Sequence, residues 1–228
     1  GENITVSLDE DPLAPKAHLL VSELMVLTNA ALAAWAKEHG VTLLHRTQDV
    51  AIPKEFSGIW QTPLEIARVV KALAPAVLET NPRPHAGLGE AMYAPSTSPL
   101  RRYPDMINET QIISLLRDGK PRWSKEELDT LLPLLNAHLD AAGQVQRFRP
   151  RYWKLLYFKQ QGDRWWPAVI TDENDAFVTV NMPKEQMIVR ARRQFFGERT
   201  HPGQELEIRL GKVHPLQNDF QLLETREI

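Results

Sequence analysis

Three aliphatic hydroxyls and two arginines crowd one stretch of the chain, Ala94-Pro95-Ser96-Thr97-Ser98-Pro99-Leu100-Arg101-Arg102-Tyr103-Pro104-Asp105. Pro104 is a residue that tolerates only the first turn of a helix, so this stretch approaches a helix start. Hydroxyls and free backbone N–H groups at such a start make an anion site. An arginine beside them adds planar, two-pronged recognition of phosphate, which lysine cannot copy. The plainer alternative is a hydroxyl-capped turn followed by two solvated arginines, a common arrangement.

A second stretch has a different chemistry. From Arg147 to Arg164 run six cations, Arg147, Arg149, Arg151, Lys154, Lys159 and Arg164, against a single acid, Asp163. Tyr152, Trp153, Tyr157 and Phe158 interleave with them, and Trp165 and Trp166 follow. Cations that track a phosphate backbone and rings that stack on bases are what single-stranded nucleic acid needs. Alternatively, these rings seal an interface between a helix and a sheet. Adjacent Trp165 and Trp166 on a strand point to opposite faces, so at most one belongs to the core of a one-sided sheet.

Other candidates carry less. The seven histidines show no metal-ligand spacing. Gly87-Leu88-Gly89 lacks the Gly-Lys-Ser/Thr of a phosphate-binding loop. Asp9-Glu10-Asp11 is the densest run of carboxylates, and its place before Pro12 reads as a solvated turn. Asn3-Ile4-Thr5 and Asn108-Glu109-Thr110 are chance matches to a glycosylation sequon.

The elements that must position these residues follow from period and punctuation. Ile4–Leu8 alternates as a strand does, and Lys16–His39 has helical spacing that stops at Gly40. Val41–Leu44 reads as a short strand. Thr62-Pro63-Leu64-Glu65 and Ser124-Lys125-Glu126-Glu127 are capping boxes. The first opens a helix to about Leu73. The second opens one with Leu128, Leu131, Leu132, Leu135 and Leu139 on one face, kinked at Pro133. Between them, 81–99 is a packed loop and a helix runs from about Arg102 to Arg117.

Beyond Gln160 the period becomes two. Five strands are expected at Arg164–Thr171, Ala176–Met182, Gln186–Arg190, Glu205–Val213 and Phe220–Glu224. Pro167 makes the first an edge or bulged strand, and Gly211 resets the parity of the fourth as a bulge would. Five short strands in this span fit a small OB-type barrel. Gln160-Gln161-Gly162-Asp163 is the expected boundary, giving domains 1–159 and 160–228 in an α+β chain.

Composition excludes several classes. The chain has 228 residues, no cysteine and a net charge of −2, with 43% hydrophobic and 25% charged residues. Without cysteine there is no disulfide scaffold, thiolate metal site or thiol nucleophile. The near-neutral total can still hide a basic region. Leu24–Ala36, the longest mostly apolar run, falls short of a membrane span, and no signal peptide is visible, so a cytoplasmic protein with no membrane partner is expected. The first residue is not Met, which suggests processing or a piece of a longer protein.

The string GLGEAMYAPSTSPLRRYPDMINETQI resembles the signature of the ribonuclease II and RNase R exoribonucleases. Their RNB domain carries a Gly-Leu, a Tyr, Thr-Ser-Pro-Ile-Arg-Arg-Tyr and an Asp at this spacing. Pro95-Ser96 stands where that family usually has His-Phe. LLVSELMVLTNAA resembles the family's helix with its Glu-x-Met and following Asn, HGVTLLHRTQ the strand after it, and PRPHAGLG the approach to the signature. The strand-rich end matches the position of the family's OB-type RNA-binding domain.

That resemblance implies a helical C-terminal part of an RNB catalytic domain followed by a five-stranded OB-type barrel. Family members are processive, metal-dependent hydrolases that degrade single-stranded RNA from the 3′ end and release nucleoside 5′-monophosphates. Arg101 matches the arginine that contacts the scissile phosphate, and it is the catalytic candidate. RNA contacts are expected from Glu23, His85, Thr97, Ser98, Arg102, Tyr103, Arg147, Arg149, Trp165 and Trp166. Ser22 occupies the family's carboxylate position beside Glu23, Arg147 stands where the family often has Glu, and a packing role for His85 stays open. Mg²⁺ is the implied cofactor, held by a run of aspartates upstream of the Glu-x-Met helix and thus outside this chain. The implied partners are single-stranded RNA and the upstream half of the RNB domain. The reading from another class is a non-catalytic RNA-binding module that holds RNA through Arg101 and the barrel.

Overall fold

The computed structural model describes residues 4–8, 15–56, 58, 60–197 and 199–228. Asp9-Glu10-Asp11 and Asn3 lie outside the described residues. The chain forms two compact units, Leu13–Ser57 with Ala72–Asp140, and Gly1–Pro12 with Gly58–Lys71 and Ala141–Ile228.

The first unit is helical. Helix α1 spans Pro15–Glu38, and Gly40, at φ +68°, lets Val41 N–H return to the Ala36 carbonyl at 2.8 Å. Val41, Leu43 and Leu44 are buried but form no strand; the extended pairing begins one residue later. Strand β1, His45–Thr47, pairs antiparallel with β2, Val77–Glu79, in the register His45 to Glu79. Helix α3, Tyr103–Asp118, packs Ile107 against Leu44 and Leu128. Ala33 and Ala36 of α1 pack on Val41, Leu43 and Ala94.

Both capping boxes form. Glu65 N–H donates to Thr62 Oγ1 at 3.2 Å and Thr62 N–H to Glu65 Oε2 at 2.9 Å, opening helix α2, Pro63–Ala72. Ser124 and Glu127 reciprocate at 3.2 and 2.8 Å and open helix α4, Lys125–Gln161. That helix continues through Pro133 and Pro150 and reaches the expected domain boundary. Its residues after Asp140 belong with the C-terminal sheet, whereas the sequence reading placed the division at 160.

The second unit is built on a curled five-stranded antiparallel sheet in the order β5-β4-β3-β6-β7. The strands are β3 Trp165–Glu173, β4 Phe177–Met182, β5 Met187–Arg192, β6 Glu205–His214 and β7 Asp219–Glu227. The outermost strands, β5 and β7, are unpaired with each other, so the sheet is a half-barrel rather than a closed one. Thr225 Oγ1 crosses the gap to the Phe195 carbonyl at 2.6 Å. One face buries Trp166, Ile170, Val178, Val180, Leu206 and Ile208 under Leu155 and Phe158 of α4.

Local rules explain the details. At Pro167, β3 has β6 on one side only, because pairing with β4 begins at Val169, so no ladder bond is lost. Register shifts flank Gly211, where an added Cβ would stand 2.7 Å from Leu223 Cδ2. Ile4–Leu8 is extended without being a strand. Gln160 holds it instead, accepting Val6 N–H at 2.9 Å and donating to the Ile4 carbonyl at 2.6 Å.

Helix α1 is, over Lys16–Glu38, long and apolar enough by length and composition to cross a membrane, contrary to the reading of its apolar run as too short. Its Asn29, Ala33 and Ala36 are nevertheless buried inside the helical unit, while Leu20, Leu24 and Leu27 face outward. The chain is α+β.

Candidate nucleic-acid interface

The hydroxyl and arginine cluster sits on a loop pinned from below by helix α3. Asp105, Asn108 and Gln111 follow one another at three-residue steps and all three are buried. Asn108 Nδ2 donates to the Pro95 and Leu44 carbonyls, each at 2.9 Å, and its Oδ1 accepts Leu44 N–H at 2.8 Å. Gln111 bonds the Thr42 and Trp123 carbonyls at 3.0 Å and accepts Trp123 N–H at 2.8 Å. Such a ladder satisfies buried backbone groups that no regular structure covers.

Helix α1 pins the loop from the other side. Asn29 Oδ1 accepts Ser96 N–H at 2.8 Å, while Nδ2 donates to Tyr93 Oη at 2.9 Å and Thr97 Oγ1 at 3.3 Å. Ser96 is buried and turns its hydroxyl to the Ala94 carbonyl, so it presents nothing outward. His85, expected as an RNA contact, is also buried, with its ring edge-on to Tyr93 at 5.8 Å. Burial, and then the nearby Arg46, keep its imidazole below the usual histidine pKa. It packs against Tyr93 beneath the loop.

The two arginines have separate fates. Arg102 Nε and Nη2 donate to Asp105 Oδ1 at 3.0 and 2.6 Å, and Nη2 also reaches Thr97 Oγ1 at 3.4 Å. The Asp105 side chain is 1% exposed and that of Arg102 33%. Asp105 Oδ1 accepts Ser98 N–H at 2.9 Å as well, and Oδ2 has no partner among the described residues. Arg102 is therefore a fastener of the loop, which corrects its reading as an RNA contact or a solvated neighbour. Arg101 is exposed, and its side chain has no hydrogen-bond or ion-pair partner among the described residues. Its backbone N–H closes a turn onto the Ser98 carbonyl at 3.2 Å. Tyr103 at the first position of α3 is exposed, as is Glu23 on α1. The arrangement offers an anion one unpaired guanidinium beside a helix start.

The other candidates lie in the second unit. Arg147 and Arg149 are exposed on α4. Trp166 is 1% exposed, packed edge-on against Phe158 at 4.7 Å, with Arg164 4.0 Å over its ring. It belongs to the core, so its reading as an RNA contact is corrected by strand parity. Trp165 takes the opposite face, where the Arg226 guanidinium covers it at 4.3 Å.

Among the described residues there is no group of three or more histidine or carboxylate side chains that could hold a metal ion. Asp105 has one oxygen committed to Arg102 and Ser98. These residues therefore do not form a site for the implied Mg²⁺. Sequence reasoning missed Asn29, Asn108 and Gln111 as positioning groups. A lone Asn in the apolar run LTNAALAA and the three-residue polar spacing after Asp105 were the available signals.

Residues 4–118 match the RNB domain. An uncharacterized ribonuclease of Synechocystis is 24% identical over 98% of this chain and 34% of its own length. The chloroplastic/mitochondrial ribonuclease II of Arabidopsis thaliana is 26% identical over 92% of this chain and 26% of its own length. The chain thus spans about a third or less of these relatives. Among solved structures, the Dss1 exoribonuclease of Candida glabrata superposes with a TM-score of 0.78 at 24% identity, over 91% of this chain and 28% of that one. Mycoplasma genitalium RNase R, solved with ribose-methylated single-stranded RNA, gives 0.71 at 16% identity, over 93% and 42%. Yeast Ssd1, described as a pseudonuclease, gives 0.63 at 16%, over 91% and 29%.

Proposed function

Because the chain belongs to the RNB-domain family of ribonucleases, we propose that it forms part of an exoribonuclease that shortens single-stranded RNA from the 3′ end and releases nucleoside 5′-monophosphates. The observation that carries this reading is the division of labour between the arginines. Arg102 is spent on Asp105, and Arg101 is left exposed and unpaired beside a helix start. A guanidinium held by a rigid turn can grip a phosphate and stabilise the charge that develops on it. The Mg²⁺ of such a reaction would be held by carboxylates of further RNB sequence, since the described residues provide no set for it. The curled sheet, read as an OB-type domain, adds RNA affinity.

The test uses two proteins. Residues 1–228 alone, incubated with end-labelled single-stranded RNA and Mg²⁺, release no mononucleotide. A longer polypeptide that contains this chain releases mononucleotides, and Arg101→Ala lowers its single-turnover rate by roughly 10²-fold, the scale of losing one preorganised donor. Full activity of the Arg101→Ala protein would overturn the assignment. A non-catalytic RNA-binding module is the second reading, favoured by the absence of a metal-ligand cluster among the described residues and by the likeness to the pseudonuclease Ssd1. RNA binding by the longer protein without any release of mononucleotides would select it.

A further inference from the structure

Three arginines of the sheet unit are already matched. Arg209 pairs with Asp163 and Glu224, Arg226 with Glu207, and Arg193 with Glu173. Trp165, on the face opposite Trp166, lies under Arg226. A nucleic acid approaching there would first have to displace acids already bonded to their arginines.

Helix α4 presents the opposite situation. Its segment 141–161 holds five cations and no acid. Arg151 and Lys154 face the sheet, the Arg151 guanidinium lying 5.5 Å from the centre of the Phe220 ring and Lys154 donating to the Gln186 carbonyl at 2.5 Å. Arg147 and Arg149 are exposed and have no side-chain partner among the described residues, Arg149 on the groove side of the helix and Arg147 on the row that continues to Arg151. Gln144, Phe148 and Tyr152 follow at four-residue steps, and so do Val145, Arg149 and Trp153, which makes two adjoining rows on one side of the helix. These six residues line one shallow groove. Phe148 and Trp153 remain 42% and 37% exposed, and Trp153 meets Tyr152 edge-on at 5.0 Å.

We propose that this α4 groove, and not the Arg226-covered ring of Trp165, is the single-stranded RNA platform of the second unit, with Phe148 and Trp153 stacking on bases and Arg149 taking a phosphate. This rests on the RNA-degrading reading above and gives it a second contact site. Charge selects the occupant. Unopposed guanidiniums repel a basic protein and attract a polyanion, and rings beside them suit bases, which all present a π-face. The same groove would serve poorly as a seam between two copies, which would bring two unpaired Arg149 guanidiniums together.

The experiment titrates residues 1–228 with fluorescein-labelled oligo(U) and oligo(A) at low and moderate salt. Phe148→Leu keeps an apolar side chain on the helix and removes the ring, so it isolates stacking from folding; circular dichroism verifies the helix. Phe148→Leu and Trp153→Leu each weaken binding about tenfold. Arg149→Gln flattens the salt dependence by about one counterion. Trp165→Ala changes affinity less than twofold. Wild-type affinity in the Phe148→Leu and Trp153→Leu proteins, with Arg101→Ala still weakening capture, overturns the platform and leaves the RNA-degrading reading standing. No RNA binding by the unsubstituted chain at low salt overturns the platform, and the longer polypeptide's release of mononucleotides decides the RNA-degrading reading separately. Self-association in light scattering that Phe148→Leu abolishes, without an effect on RNA, assigns the groove to protein contact and overturns the proposal.

Discussion

Arg102 and Asp105 meet across the first turn of α3, with Nη2 2.6 Å and Nε 3.0 Å from the same carboxylate oxygen, Oδ1. That oxygen also accepts Ser98 N–H at 2.9 Å. One buried acceptor thus ties the hydroxyl loop to the helix. The neighbouring arginine carries no such duty.

The pair predicts opposite phenotypes for adjacent substitutions. Arg102→Ala leaves Asp105 buried without its cation and costs about 1–3 kcal/mol in urea unfolding, at the low end of buried-pair losses because Arg102 is partly solvated. Arg101→Ala leaves the unfolding midpoint unchanged and weakens oligonucleotide capture. A matched loss of stability in both variants would contradict the geometry.

Asn29→Ala removes the acceptor of Ser96 N–H and the donor to Tyr93 Oη and Thr97 Oγ1 together. Stranding the Ser96 amide and leaving a small cavity costs about 2–3 kcal/mol. Hydrogen exchange at the Ser96 amide should accelerate by the same factor, while amides of the C-terminal sheet keep their protection.

His45 is buried in β1, and desolvation, partly offset by the Glu79 carboxylate, pushes its imidazole down to about 4. The unfolded chain takes up that proton near its ordinary value of 6.5, and the folded chain does not until about 4. Stability is therefore fully present above 6.5 and falls as pH drops from 6.5 to 4. The loss approaches roughly 3 kcal/mol for this group, at 1.36 kcal/mol per unit. His45→Gln should flatten the pH dependence of urea unfolding over that window. An unchanged slope would place the titration elsewhere.

Strand parity separates the two tryptophans. Trp166→Ala opens a cavity beside Phe158 and Ile208 and costs about 3–5 kcal/mol. Trp165→Ala removes a half-covered ring on the outer face and should cost less than about 1 kcal/mol. Equal costs, measured by denaturant unfolding of the C-terminal sheet, would contradict the register of β3.

Much of this architecture is legible in the sequence because local rules and tertiary packing agree. The five strands lie within three residues of the alternating segments, and both capping boxes form the bonds their residue types prescribe. The exceptions are local signals that packing overrode. Ile4–Leu8 alternates but finds a glutamine side chain in place of a partner strand. Val41–Leu44 is apolar enough for a strand, yet its backbone is satisfied by Asn108 and Gln111. At the site, Arg101 could be picked out by spacing. The burial of Asp105, which decides what Arg102 does, could not, although the three-residue interval between them already allowed the pair.

The open seam between β5 and β7 has a consequence for behaviour in concentrated solution. Two unpaired strand edges invite another molecule's edge, and such pairing propagates into fibres. Here Arg190 and Arg192 lie along one edge, and Glu224, Arg226 and Glu227 along the other. Head-to-tail stacking would have to strip water from these charges and break the pairs Arg209 and Arg226 already make across the last two strands. These charges oppose the pairing of one half-barrel edge with another. Neutralising Arg190 and Arg192 together would remove the charge from that edge and favour its pairing with the edge of another molecule.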